Sequence, residues 1–338
     1  MHIAFLETIR KRRPSRRLLV IAGAACVLLL VAFVLLYAKY FGPVTASRVA
    51  PTEFIVAPDS EFETVAQELK AGGYIKSMTA FRIAYRGTGH MNDVREGGYM
   101  ISPSMDVWTV ANLLSRPPYL AWITFPPGWR KEQIADYLAK KLAWTEEQKR
   151  EFVDVDTAPT FEQIEGVYYG DTYLIPSDQA PAQVAARLRD RFEEVFAPYA
   201  ELAVEKNVTW TEALTMASLI EREAAKNDKH LVAGILWNRI NDGMRLQVDA
   251  TLQYIKGSEG NWWPQVKSED KQLDSPFNTY KNSGLPPHPI ANPSLDSIEA
   301  ALNPEHTDCI YYLHDADGVI HCSATYAGQL RNIERYLR

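Results

Sequence analysis

With 338 residues, 46% of them hydrophobic and 23% charged, the chain is long enough for two or three domains, and its 18 Gly and 20 Pro make it neither collagen-like nor disordered. The formal charge of −6 is the sum of two opposite parts: residues 1–39 hold seven Lys or Arg and one acid, which leaves 29 basic against 41 acidic side chains in residues 40–338. An acidic body of this kind excludes nucleic acid as the main partner, because phosphate binding needs a basic face.

The first element is a run of 21 uncharged residues, 18–38, reading LLVIAGAACVLLLVAFVLLYA. A helix rises about 1.5 Å per residue, so this one spans roughly the 30 Å hydrocarbon core of a bilayer. Six Lys or Arg within 10–17 precede it and only Lys39 follows closely. The positive-inside rule therefore predicts a cytoplasmic tail at 1–17, a single transmembrane helix at 18–38, a linker at 39–48 and a translocated body. A cleaved signal peptide ending near Val44-Thr45-Ala46 is the competing reading, but its apolar core would be too long, with Lys39 and Tyr40 in the way. Outside the cytoplasm ATP and nicotinamide cofactors are absent, so no cofactor is expected. The chain has no GxxxxGK(S/T) loop, and Gly87-Thr88-Gly89 sits in a polar loop.

Next comes a pattern repeated three times: Pro, six residues, Val or Ile followed by Ala, two residues, Leu. It occurs from Pro58 to Leu69, from Pro103 to Leu114 and from Pro127 to Leu138, each copy after a short apolar run. The Pro ends a strand, a turn follows, and apolar residues at i, i+1 and i+4 make one helix face. Such units cannot bury their faces alone, so the copies are expected to pack together in a small α+β region over 49–150. In outline this block resembles glycan-binding lysin-motif folds. Residues 145–207 read as mostly helical, with Val184, Leu188, Phe192, Val195 and Phe196 spaced for one helix face. The larger α+β domain is placed at 151–338.

The chemistry-bearing residues lie between 209 and 321. Thr209-Trp-Thr-Glu212 fits a capping box opening a helix over 213–225. Glu221 and Glu223 both fall on the shoulders of its apolar arc, and geometry alone does not choose between them. The plain alternative is a surface carboxylate paired with Arg222 or Lys226. A carboxyl at an apolar margin is instead expected to have its pKa raised by desolvation, as a general acid requires. Downstream, polar residues are set between Gly and Pro: Asn238-Arg239, Leu246-Gln247-Val248-Asp249, Ser275-Pro276-Phe277-Asn278-Thr279-Tyr280 and Gly284-Leu285-Pro286-Pro287-His288-Pro289-Ile290. Stiff polar loops of this kind position something. Asn, Gln, Asp, Tyr and Arg, with Trp262 and Trp263 nearby, suit sugar hydroxyls and sugar faces.

Together with Ala217-Ser218-Leu219-Ile220-Glu221, these motifs resemble the endolytic murein transglycosylases, the YceG-like family, over about 49–321. The resemblance implies an inner-membrane anchor, a lysin-motif-like membrane-proximal subdomain and a distal catalytic domain facing the periplasm. It implies Glu221 as the catalytic acid; Asn238, Arg239, Gln247, Asp249, Asn278 and Tyr280 are expected to bind or orient the glycan, the plain alternative being that Asn238-Arg239 and Asp249 only fix loops, and no metal is expected. It implies scission of the β-1,4 bond between N-acetylmuramic acid and N-acetylglucosamine without water, leaving 1,6-anhydro ends, a reaction that can terminate nascent strands beside peptidoglycan synthases. Asp249 is the best candidate for any second carboxylate. Four positions depart from the family pattern: Gly170 and Ala250 replace Pro, Ser323 replaces an aromatic residue, and Leu330 replaces His. A catalytically idle peptidoglycan-binding or divisome scaffold is the alternative.

Cys309 and Cys322 flank a hairpin. If its turn centres on Asp317-Gly318, Cys322 faces Leu313 and Cys309 lies four residues further on, too far for a disulfide. A zinc site from Cys309, His314, His321 and Cys322 fits no common ligand spacing.

Overall fold

The computed structural model describes residues 16–90, 94–156, 165–225 and 227–338. Most of the expected cytoplasmic tail, residues 1–15, lies outside them, as does Lys226. The chain is a mixed α and β protein that divides into two compact units, 1–120 and 121–338.

In the first unit, α1 (Arg16–Tyr40) is the one helix among the described residues long and apolar enough to cross a membrane. Its apolar side chains, including Leu28, Leu29, Phe33 and Leu35, are exposed. Beyond it run β1 (Thr52–Val56), α2 (Phe62–Ala71), α3 (Met78–Gly87), β2 (Gly97–Ile101) and α4 (Val107–Leu114). β1 and β2 are antiparallel, with Thr52 opposite Ile101 and Val56 opposite Gly97. Asp106 caps α4 by accepting the Thr109 N–H at 2.7 Å, and Ser77 caps α3 through the Ala80 N–H. The repeat positions Val65, Ala66 and Leu69, with Val110, Ala111 and Leu114, are buried together against Phe54, Phe81 and Tyr85.

The third copy behaves differently. β3 (Leu120–Thr124) and α5 (Lys131–Leu142) form the expected strand and helix, but Ile134, Ala135 and Leu138 are buried in the core of the second unit with Phe125, Tyr168 and Leu188. The division at Leu120 therefore falls earlier than residue 150. After α5 come α6 (Glu146–Glu151), β4 (Thr172–Pro176), α7 (Pro181–Glu205), α8 (Trp210–Glu223), α9 (Lys229–Asn241), α10 (Asp249–Lys256), α11 (Leu295–Leu302), β5 (Tyr311–His314), β6 (Ile320–Ser323) and α12 (Tyr326–Tyr336). α7 begins with Pro181, whose missing N–H costs nothing in a first turn, and runs on through Pro198. At Gly170 an added Cβ would lie 2.6 Å from the Pro127 nitrogen, so the close approach of the 126–127 backbone leaves no room for a side chain.

α8 is the centre of this unit. Thr209 and Glu212 form the capping box, and the eight consecutive residues from Ala213 to Ile220 are buried, so the helix is enclosed on all sides. Its Ser218 Oγ accepts the Ile290 N–H at 3.0 Å, which ties the Pro-rich loop to the helix.

The β5–β6 hairpin pairs Leu313 with His321 and Tyr312 with Cys322. This register shifts Cys322 one position from the sequence expectation, because Asp315 Oδ1 accepts the Asp317 and Val319 N–H groups and the turn takes three residues, 316–318, in place of two. Tyr311 faces Ser323, and the Ile310 N–H also bonds the Ser323 carbonyl, a bulge-like extra residue that draws Cys309 back. Cys309 and Cys322 are disulfide-bonded, with Cα atoms 5.8 Å apart, against that expectation. The bridge closes a loop of 13 residues, so Cys309→Ser is expected to cost about 3 kcal/mol. Thermal melts with and without reductant check this: reduced wild type should match the variant.

Candidate active site

A cavity of about 700 Å³ opens in the second unit, lined by Glu223, Arg239, Gln247, Asp249, Tyr280 and, from the hairpin, Tyr311, Tyr312 and His314. Four residues expected at the site meet here. Gln247 holds a left-handed backbone (φ 53°), and its N–H bonds the Thr279 carbonyl, placing it on the rim. Asp249 opens α10 and accepts the Tyr280 hydroxyl at 2.6 Å. Arg239 lines the wall, but its guanidinium is already committed to the carbonyls of Ile310 and Leu246.

Asn238 and Asn278 do not line the cavity. The Asn238 amide donates to the Thr307 and Cys309 carbonyls, which fixes the approach to β5. Asn278 is fully buried, donating to Lys271 and Leu273 and accepting the Tyr280 N–H. Their side chains shape the loops that carry the site.

The two glutamates at the end of α8 have separate surroundings. Glu221 Oε2 accepts four donors: Ser294 Oγ at 2.5 Å, Ser297 Oγ at 2.5 Å, the Ser294 N–H at 3.0 Å and Lys229 Nζ at 3.2 Å. Burial pushes its pKa up, but the two hydroxyls, the N–H and the lysine charge outweigh burial and hold it below the usual carboxylate range. This corrects the expectation of a raised pKa at Glu221. Its ionic partner is Lys229, not Arg222, and as an anion at the first turn of α11 it also meets the positive end of that helix.

Glu223 faces the cavity. Burial pushes its carboxyl pKa up, with the Asp249 charge adding to the rise, while the Tyr312 hydroxyl (2.9 Å to Oε2) and the Ala250 N–H (3.3 Å to Oε1) pull it down without cancelling it. The Ala250 donor exists because this chain lacks Pro at that position. A third unusual carboxyl, Glu165, is pushed up to about 8 by burial, but it is spent on the Lys131 N–H and the Tyr254 hydroxyl and does not line the cavity.

Sequence reasoning missed Tyr312 and His314. Their alternation in a strand beside Tyr311 was the available signal, since it puts both on one face. His314 is held by Asp228 at 2.8 Å. Among the described residues, no three His, Cys, Asp or Glu side chains are grouped to hold a metal ion.

A model of the YceG-like family matches residues 54–335. The chain is 30% identical over 321 residues to the endolytic murein transglycosylase of Bacillus subtilis (strain 168), with 87% of each covered. It is 28% identical over 314 residues to a protein of the same name from Streptococcus pneumoniae (strain D39 / NCTC 7466), spanning 82% of this chain and 57% of that protein's length. The crystal structure of a YceG-like protein from Listeria monocytogenes superposes with a TM-score of 0.60 at 25% identity, covering 83% of this chain and 98% of the other. A match that begins in β1 and ends in α12 takes in both units, and the chain therefore belongs to the YceG-like family.

Proposed function

We propose that this protein is a membrane-anchored lytic transglycosylase that cuts peptidoglycan strands internally, with Glu223 rather than Glu221 as its acid and base. The observation that carries the assignment is the shared cavity: the one α8 carboxyl with a raised pKa lines it beside Asp249, Gln247 and Tyr280. The relatives' names supply the substrate class. In this reading neutral Glu223 protonates the oxygen between N-acetylmuramic acid and N-acetylglucosamine, and the C1–O bond breaks through an oxocarbenium-like transition state. The Glu223 carboxylate then takes the proton of the muramyl C6 hydroxyl as that oxygen bonds C1. A 1,6-anhydro ring forms, the acid is regenerated and no water is consumed. The Asp249 carboxylate, oriented by Tyr280, stabilises the developing positive charge. α1 anchors the chain with the basic tail in the cytoplasm and the body outside, beside the synthases whose strands it terminates. The β1–α2–α3–β2 order supports a lysin-motif-like, glycan-holding role for the first unit.

The reaction is tested by digesting purified peptidoglycan in ¹⁸O-labelled water and reading the ends by mass spectrometry. Anhydro ends without label are expected. Labelled reducing ends would indicate a hydrolase, and intact glycan would indicate a scaffold.

Because Glu223 acts when protonated, the rate is expected to fall as pH rises through its raised pKa. Asp249→Asn removes a neighbouring charge and should move that fall to lower pH. Ala250→Pro removes an N–H donor and should move it to higher pH. Rate profiles for the three proteins check both signs.

A further inference from the structure

Resting on the transglycosylase reading, we propose that a second recess in the 121–338 unit is a saccharide subsite that grips the same glycan strand away from the bond being cut. Its volume is about 680 Å³, within the usual range for ligand sites, and Trp129, Tyr137, Trp144, Trp262 and Trp263 line it. Hexosamine rings present flat C–H faces that pack on aromatic faces, so a cluster of indoles suits a glycan backbone.

The rings are fixed in advance. Trp262 Nε1 donates to Asp136 at 3.0 Å and Trp263 Nε1 to Gln133 at 2.8 Å. The Arg130 guanidinium stacks 5.0 Å from the Trp262 ring, and Arg222 stacks 3.9 Å from Trp263. Rings already ordered lose little entropy when a ligand arrives. Most charges of the recess are spent on one another, Lys149 lying 2.7 Å from Asp136, 3.3 Å from Glu259 and 3.8 Å from Glu146, with Lys140 also in the lining. An uncharged, hydroxyl-rich ligand fits such a lining better than a charged one. One buried donor of a lining side chain, Trp144 Nε1, has no hydrogen-bond partner among the described residues, and an acetamido or hydroxyl oxygen would supply the acceptor it lacks.

One lining ring of the recess is tied to the helix that carries the glutamates. Arg222 stands between Glu221 and Glu223, so its stack on Trp263 joins the aromatic lining to the last turn of α8. The occupant is the neutral backbone of N-acetylhexosamines, two or more units long, stacked on the tryptophans.

The test uses the full chain in detergent, carrying Glu223→Gln so that strands are bound but not cut. Binding of peptide-stripped glycan strands is compared with that of the same protein carrying Trp262→Ala or Trp263→Ala, and with Trp262→Phe. About tenfold weaker binding is expected for each alanine variant, with recovery to within about threefold for phenylalanine. Unchanged strand binding by both alanine variants would overturn the proposal, as would preferential binding of free stem peptide. Should the alanine variants fail to fold, tryptophan fluorescence of the Glu223→Gln chain titrated with an N-acetylglucosamine tetramer decides: a saturable change supports the subsite, and a flat response overturns it. Anhydro ends in these samples would count against Glu223 as the acid and leave the binding comparison standing, so the two failures are distinguishable.

Discussion

Glu223→Gln is expected to lower the release of anhydro-ended fragments by about 10²–10⁴-fold, the range for loss of a positioned general acid, with the protein still folded. The amide preserves the shape and can still accept from Tyr312, but it can neither give nor take the proton. Glu221→Gln is expected to do the reverse. It removes an anion that accepts four donors at one oxygen, and about 1–3 kcal/mol of stability should be lost, while cleavage by the folded fraction stays within about tenfold of wild type. The pH dependence gives an independent check. Glu221 is depressed in the folded state, so its contribution to stability is present above the unfolded carboxylate pKa and disappears as pH falls through the folded value. The variant should therefore lose part of the acid destabilisation that wild type shows. Melting curves and product analysis on the same preparations decide. Loss of cleavage in Glu221→Gln with an unchanged melting temperature would return the catalytic role to Glu221.

Asn292→Ala is expected to be the most destabilising single change in the loop after Gly284. Asn292 is buried, its Oδ1 accepts the N–H groups of Gly166 (3.1 Å) and Tyr168 (2.8 Å), and its amide donates to the Trp129 carbonyl (2.8 Å). Truncation orphans two buried backbone N–H groups at about 1–3 kcal/mol each, so a loss near 3 kcal/mol or more is expected. Against the usual 5–15 kcal/mol of total stability that is a large fraction. Urea denaturation midpoints measure it, and a shift equivalent to less than about 1 kcal/mol would show that these groups find other partners.

The elements that carry their own signals were legible in the residues. The apolar run of α1, the capping box at Thr209 and the Pro-led strand–turn–helix copies each depend on neighbours within about a dozen positions. What sequence left open depends on partners far along the chain. The third repeat copy has the same local pattern as the other two, and only the burial of Ile134 and Leu138 among residues of the second unit assigns it there. The different surroundings of Glu221 and Glu223 come from Ser294, Ser297 and Tyr312, more than 70 residues away, which no helical wheel contains. Likewise Asn238 and Asn278 have the polarity of ligand contacts, yet their amides meet backbone carbonyls of loops whose course the local pattern does not specify. The disulfide was hidden by a single bulged residue near Ile310.

The final turn of α8 places three consecutive side chains in three settings: Glu221 on the first turn of α11, Arg222 on the Trp263 ring and Glu223 at the cavity. Helix ends ordinarily fray, which would leave a terminal carboxyl wandering over several ångströms. Here Glu221 is held by Ser294, Ser297 and Lys229, and Arg222 by the Trp263 ring, so the entropy of ordering the last turn, and with it the Glu223 carboxyl, is lost once, when the chain folds, and not again each time a ligand arrives.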